Sequence, residues 1–354
     1  MDFLVRRDDL AECRCVESEV PKPGPGQALL AVDTFGLTTN NITYAVFGEA
    51  MRYWQFFPAE EGWGRVPVWG FADVAEGTEG LAEGTRVFGY LPPSTHLIVE
   101  PASVGATGFV DASPHRAELP AAYNRYFRVD ADPVYERRFE DQQMLFWPLF
   151  FTSFLIDDFL DDEGLFGAGA TILSSASSKT ASGLAFLLSR HDGVEVIGLT
   201  SPRSVEFVEG LGVYDRVLAY ADAGSLEQVP SVYVDMSGDA DVRDAVHRRL
   251  GDSLAHSAVV GATHREGMGE VPDGLPGPRP VFFFAPDRLA KRNADWGPDG
   301  LQERIGEAWR PYVEWTAGWL EVRRGSGPEA IERAYRELLE GRIDPAVGDV
   351  LSLS

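Results

Sequence analysis

The sequence predicts an α/β protein in which a β-rich, barrel-like part precedes a doubly wound parallel sheet. Three observations predict it. Short apolar runs punctuated by Gly and Pro fill residues 1 to about 110. From Ala170 onward, apolar runs alternate with stretches of helical period, the pattern of a parallel sheet covered by helices. At the start of that alternation, Ala170–Arg190 (ATILSSASSKTASGLAFLLSR) reads as strand, tight turn and helix in that order.

The elements follow in chain order. The turn signal PKPGPG at 21–26 precedes an apolar strand, QALLAVDTF at 27–35. Further strands are expected at Pro67–Val74, Arg86–Tyr90 and His96–Val99, each bounded by Gly or Pro. The aromatic run RYWQFFP at 52–58 suits either a core or the wall of an apolar pocket. Residues 112 to 145 are polar and poor in pattern. Phe146–Leu160 fits a buried helix with Pro148 in its first turn and Asp157 and Asp158 on its exposed face. In the second part, strands are expected at 171–173, 194–200, 216–220, 231–235, 257–261 and 281–285. Helices are expected at Val205–Leu211 (with Gly212 as C-cap), Asp241–Leu250, Leu301–Trp319 and Pro328–Glu340, before a final strand at Val347–Leu353.

Composition narrows the function. A chain of 354 residues most naturally forms two domains. A formal charge of -24 argues against nonspecific binding to nucleic acid or anionic membrane, which needs basic surface. Cys13 and Cys15 are the only cysteines, so neither a disulfide framework nor a four-cysteine zinc site is available. No run of about 18 apolar residues occurs, and MDFLVRRDD carries no signal-like pattern, so the expectation is a cytoplasmic protein.

The turn SSASS at 174–178 carries the chemistry. A strand, turn and helix of this kind open a dinucleotide-binding fold, in which helix amides and the positive end of the dipole hold a pyrophosphate. The glycine fingerprint is absent; its places read Ser175, Ser178 and Ala181. Serine is small enough to admit a phosphate and adds a hydroxyl donor. Lys179 stands in the first helical turn, where a cation opposes the dipole by about 0.3–1 kcal/mol. The chain has only three lysines, so this placement favours an anion; a serine-capped helix with a solvated lysine accounts for the same residues.

Several motifs carry a resemblance. They are Thr39–Tyr44 (TNNITY), Glu83–Gly89 (EGTRVFG), Leu199–Ser201 (LTS), Glu209–Gly212 (EGLG), Asp235–Gly238 (DMSG) and the tail from Leu339 (LEGRIDPAVGDVLSL). Together they resemble the medium-chain dehydrogenase/reductase superfamily. Trp69–Ala72 (WGFA), Ser174–Ala181 (SSASSKTA) and Gly261–His264 (GATH) resemble more closely its outlying branch, the domain of unknown function 2855 family. The resemblance implies a GroES-like β-rich substrate domain (1–145), a Rossmann-like dinucleotide-binding domain (146–310) and a C-terminal segment returning to the substrate domain (311–354). Zinc-dependent members place Cys or His, and then Gly-His-Glu, where this chain has TTNN at 38–41 and WGFA at 69–72. Three soft ligands for zinc are therefore missing, and the chain is similar to zinc-free quinone and enoyl reductases. Such reductases pair through the edge strand of the Rossmann sheet, which makes a homodimer an expectation of the resemblance.

Cofactor and site residues follow. An NAD site wants a carboxylate about 20 residues past the fingerprint. Here Thr200, Ser201 and Arg203 stand beyond the second strand, a set suited to a 2′-phosphate, so NADPH is expected. Ser175, Ser177, Ser178, Lys179 and Thr180 are the expected phosphate residues, and His264, after the fifth strand, is a candidate to face the cofactor. In similar reductases the segment holding Asn41, Tyr44 and Tyr53 lines the substrate side. Tyr44 is the favoured proton donor, Asn41 a positioning residue and Tyr53 the second choice; core packing accounts for the tyrosines equally well. Trp54, Phe56, Phe57 and Trp69 point to a small, apolar carbonyl-type substrate. Tyr123 and Tyr126 are expected in an exposed loop, and His96, His115, His191, His247 and His256 as isolated residues. The leading expectation is an NADPH-dependent, zinc-free reductase of an α,β-unsaturated carbonyl, quinone or ketone. One alternative is a fold-alike that has lost dinucleotide binding and performs lyase, hydrolase or acyl-group chemistry; another is a non-enzymatic ligand-binding protein.

Overall fold

Most apolar runs become strands where the sequence predicts them, and other strands form where it is silent. The run at 281–285 pairs only through Val281–Phe282 before a helix starts at Ala285. The computed structural model describes residues 1–260 and 274–353. Its N-terminal part holds β1 (Asp2–Arg6), β2 (Cys13–Val16), β3 (Ala28–Leu37), the helix α1 (Thr39–Val46), β4 (Trp63–Gly64), β5 (Val68–Glu76), β6 (Arg86–Leu91), β7 (His96–Val99), β8 (Pro101–Gly105), β9 (Gly108–Asp111) and β10 (Arg125–Arg128). The strands β8 and β9 lie just before the stretch that reads as patternless, and β10 lies inside it. They are short, and β8 and β10 are only partly buried, so apolar alternation is weak there.

The helix α2 (Glu140–Asp162) begins six residues before its apolar run, because its first turn is the polar EDQQ. Pro148 therefore lies inside the helix and not in its first turn. The parallel part follows: β11 (Ala170–Leu173), α3 (Lys179–Leu188), β12 (Glu195–Thr200), α4 (Val205–Gly210), β13 (Arg216–Ala219), β14 (Ser231–Asp235), α5 (Ala240–Leu250), β15 (Leu254–Val259) and β16 (Val281–Phe282). The long helix α6 (Ala285–Ala317) breaks at Gly297, whose φ is +71°. The chain ends with β17 (Glu321–Ser326), α7 (Pro328–Leu339) and β18 (Val347–Ser352).

Two units result. Met1–Leu145 and Leu320–Ser354 form the first, and Phe146–Trp319 the second. In the first, β18 pairs antiparallel with β3, which brings the C-terminal tail into the N-terminal sheet. That sheet runs β17-β18-β3-β5-β6-β10-β9-β8, with β7 also on β3. In the second, six parallel strands run β13-β12-β11-β14-β15-β16. Numbered within the unit this is 3-2-1-4-5-6, the order of dinucleotide-binding sheets. The carboxyl end of β11 thus opens where the strand order reverses.

Helix α3 packs closely on α2 because residue 183 is glycine; a Cβ there would lie 2.9 Å from Ser153 Oγ. Helices α2 and α6 are joined by charge. Asp158 does not sit on an exposed face: Arg288 and Arg292 both bind its carboxylate, and Arg288 also meets Asp162 at 2.8 Å. Asp157 is likewise covered, with His191 Nε2 at 3.0 Å. Among the described residues, no helix is long and apolar enough to cross a membrane. Asp158→Ala leaves two largely buried guanidinium groups short of an acceptor and should destabilise the protein by about 3 kcal/mol in urea unfolding. Asp8→Ala, which removes an exposed partner of Arg6, should leave the midpoint unchanged. Equal midpoints for the two variants would contradict the structural role of Asp158.

Candidate functional site

In the second unit, the site is built on one carboxylate. Asp235 ends β14 with no exposure, and Arg243 of α5 donates to its Oδ2 at 2.9 Å. Its Oδ1 accepts from Ser174 Oγ at 2.9 Å, from the Ser237 amide and hydroxyl, and from the Gly238 amide. Ser174 Oγ in turn accepts the Met236 and Ser237 amides at 3.0 and 3.1 Å. The turn after β11 is therefore pinned to the turn after β14. Such a buried charge is tolerable because every oxygen has donors and a guanidinium neutralises it.

The backbone then does what the fingerprint glycine would do. Ser175 has φ of +52°, the left-handed region; holding a residue with a Cβ there costs about 1–2 kcal/mol. Ser178 is the N-cap of α3, its Oγ accepting the Ala181 amide at 3.2 Å. Ser177 accepts a hydrogen bond from Thr200 Oγ1 at 3.4 Å, which ties the turn to the end of β12. Lys179 lies over the Phe146 ring, 5.6 Å from its centroid. Ser175, Ser177, Ser178, Lys179 and Thr180 are half-buried. Past Thr200, Ser201 donates to Ser204 at 3.2 Å, and Arg203 is exposed in the single 3-10 turn Pro202–Ser204.

This donor set fits a dinucleotide. It offers hydroxyls, a lysine and the amino end of a helix, where the dipole favours negative charge and Ser178 Oγ already caps the Ala181 amide. One feature was not legible in the sequence: the Tyr220 hydroxyl accepts the Ser175 amide at 3.1 Å and so stands on the turn itself. His264 lies outside the described residues. His247 is a satisfied core residue, with Pro276 O and Ser257 Oγ each 2.9 Å from its ring nitrogens.

In the first unit, Asn41 and the tyrosines separate. Asn41 is buried and its amide is bonded at both ends: Oδ1 accepts the Thr38 amide at 2.7 Å, and Nδ2 donates to Pro67 O at 2.7 Å. It closes the capping box of α1 and fixes the helix that carries Tyr44. Tyr44, Tyr53, Tyr90 and Tyr123 form one cluster. Ring centroids are 4.7 Å apart for Tyr44–Tyr53 and Tyr90–Tyr123, and 5.5 Å for Tyr44–Tyr90. Trp69 Nε1 donates to Tyr44 Oη at 3.4 Å, and the Tyr53 and Tyr123 hydroxyls are also 3.4 Å apart.

Phe56, Phe57 and Trp69 pack on Tyr90, with centroids 5.2, 5.8 and 5.3 Å away. Trp54 does not join them. It belongs to the main apolar core and is seated on Gly48 and Gly64, where any Cβ would overlap its indole. Tyr123 is part of the cluster and not a loop residue by default, and Tyr126 is fully buried. Tyr90 could have been found from register: it lies opposite Trp69 on β6, and opposed residues of antiparallel strands share a face.

Among the described residues, no three His, Cys, Asp or Glu side chains are placed to hold a metal ion. Residues 35–344 match the family described as "Protein of unknown function (DUF2855)", and the chain belongs to that family. No curated protein matches it. Solved structures similar to it include CurA from Vibrio vulnificus in complex with NADPH, 15% identical over 97% of this chain and 94% of that one, with a TM-score of 0.57. The quinone oxidoreductase from Thermus thermophilus is 16% identical over 99% of each chain, with a TM-score of 0.58. CurK enoyl reductase is 14% identical over the whole of both chains, with a TM-score of 0.53. The fold is that of the medium-chain dehydrogenase/reductases, a GroES-like β-rich part with a Rossmann sheet.

Burial pushes the phenols of Tyr44, Tyr53, Tyr90 and Tyr123 above their ordinary value. All four are therefore neutral donors at pH 7. Because the folded values are raised, this stabilisation is complete below the ordinary phenol value of about 10 and is lost as pH rises through the folded values. The protein should lose stability above roughly pH 10, with the phenolate absorbance of this cluster rising only as it unfolds. Phenolate formation near pH 10 in protein that stays folded would contradict the burial of the cluster.

Proposed function

We propose that this chain is an NADPH-dependent oxidoreductase that works without zinc and reduces a small, apolar α,β-unsaturated carbonyl, quinone or ketone. The observation that carries the reading is the turn Ser174–Ser178 at the carboxyl end of β11, where Ser175 keeps the left-handed backbone of a phosphate-binding glycine. In this reading Ser175, Ser177, Ser178, Lys179, Thr180 and the first amides of α3 hold the pyrophosphate, while Thr200, Ser201 and Arg203 hold the 2′-phosphate. His264 remains a candidate to face the cofactor. When bound, NADPH supplies a hydride, and the acceptor becomes the reduced product once it has also taken a proton.

In this reading the proton donor is a phenol of the first unit. Tyr44 is the favoured donor and Tyr53 the second choice. Both are neutral phenols whose donation stabilises the charge developing on the acceptor oxygen. Asn41 acts through the capping box of α1, setting the position of Tyr44 without touching the substrate. Zinc-free chemistry agrees with TTNN and WGFA, which offer no soft ligand at 38–41 or 69–72.

A second reading, a fold-alike without dinucleotide binding, draws on one observation: the Ser175 amide is already taken by the Tyr220 hydroxyl. A titration of the purified protein with NADPH and NADH, followed by nicotinamide fluorescence, separates the two. NADPH should bind saturably and more tightly than NADH, and Arg203→Ala should weaken NADPH by roughly 10-fold or more while sparing NADH. Folded protein that binds neither nucleotide would overturn the reductase reading in favour of cofactor-free chemistry.

A further inference from the structure

Tyr90 is fully buried, yet among the described residues its hydroxyl has no hydrogen-bond partner. The other three phenols of its cluster all have one. A phenylalanine would fill the same space without that standing penalty. The ring is also held from every side. Trp69 lies opposite it in the sheet, Phe56, Phe57 and Tyr123 pack around it, and Tyr126 Oη donates to its backbone carbonyl at 2.7 Å.

Behind this wall lies Arg116, a guanidinium with no exposure. It contacts Asp111 at 3.2 Å, donates to Tyr126 Oη at 3.4 Å and lies 4.6 Å from the centroid of the Phe57 ring. Asp111 neutralises it, so the cluster carries no net cation with which to hold a carboxylate or phosphate. The result is a fixed, neutral donor among aromatic faces, a preorganised receptor for an uncharged oxygen. Tyr53 and Tyr123 are half-buried and are the more exposed members of the cluster, with their hydroxyls 3.4 Å apart.

We propose that the Tyr90 hydroxyl is the buried donor for the substrate oxygen, and that the oxygen it receives is the carbonyl of a flat, uncharged quinone. This assignment rests on the reductase reading and narrows its substrate class. It also adds Tyr90 and its neighbour Tyr123 to the residues that contact the substrate.

The test is Tyr90→Phe, with 2,3-dimethyl-1,4-naphthoquinone as probe, since its substituted ring carbons resist addition by Cys13 and Cys15. Binding is followed by quenching of intrinsic fluorescence without nucleotide, with 2,3-dimethylnaphthalene as the oxygen-free control. The variant should melt at the same or a higher temperature than wild type, bind the quinone about 10-fold more weakly, and bind the hydrocarbon unchanged. Tyr126→Phe, which removes a satisfied buried hydroxyl, should melt lower and shows what a structural phenol does. A lower melting temperature for Tyr90→Phe, equal quinone affinity in both proteins, or no quinone binding by folded wild type would each overturn the assignment. NADPH titration of the same samples reports separately whether the reductase reading stands.

Discussion

The ion pair between Asp235 and Arg243 is the interaction on which the second unit's site depends. A carboxylate with no exposure is stable only if each oxygen is bonded and its charge is met. The pair does both, and it recruits Ser174 from a strand 61 residues earlier in the chain. With Ser174 held, the chain leaves β11 in a fixed direction, Ser175 is forced into the left-handed region, and Ser178 falls where it can cap α3. The strain at Ser175 is thus sustained by a neighbouring network, as is usual where backbone is shaped for a ligand. Gly183 completes the arrangement by letting α3 settle against Ser153 of α2.

The first unit solves a different problem. It assembles phenols inside an apolar wall, where burial keeps them protonated and hence able to donate. Helix α1 brings Tyr44, and β6 brings Tyr90. The segments around Tyr53 and Tyr123 close the cluster on its solvent side. Asn41 and Arg116 serve this arrangement from behind, one by capping a helix and the other by a buried ion pair. Neutral donors among aromatic rings suit an uncharged acceptor, whereas the serine turn of the second unit suits a phosphate. In the proposed reading, the first unit therefore meets an uncharged group and the second a charged one.

Much of this fold is written locally. The alternation of apolar runs and helical periods after Ala170 is enough to name the buried strands β11, β12, β14 and β15, because strands covered on both faces are continuous apolar runs. The edge strand β16 is exposed and keeps only two of the five expected residues. The turn at 174–178 and the tail that returns to the first sheet were equally legible. What escaped sequence reasoning depends on partners far away in the chain. Asp157 and Asp158 read as solvated because their partners, His191, Arg288 and Arg292, lie 34 residues or more downstream. Tyr90 and Tyr123 escaped because strand register and a loop fold bring them to Tyr44. Asn41 stands out in the sequence as a positioning residue, and its role as a cap is visible only once its two hydrogen bonds are seen. The strands β8 and β10 are hidden by partial burial, which weakens the two-residue period, and β9 is hidden by its length of four residues.

Amide hydrogen exchange across Ser174–Thr180, with and without saturating NADPH, tests the phosphate role of this turn most directly. A ligand seated on the amino end of α3 slows amide exchange there relative to the nucleotide-free protein, and the Ala181 amide, already bonded to Ser178 Oγ, serves as the internal comparison. If the turn holds the pyrophosphate, exchange at Ser177, Lys179 and Thr180 slows when NADPH is added. Unchanged exchange at these positions, in folded protein at saturating nucleotide, would contradict it.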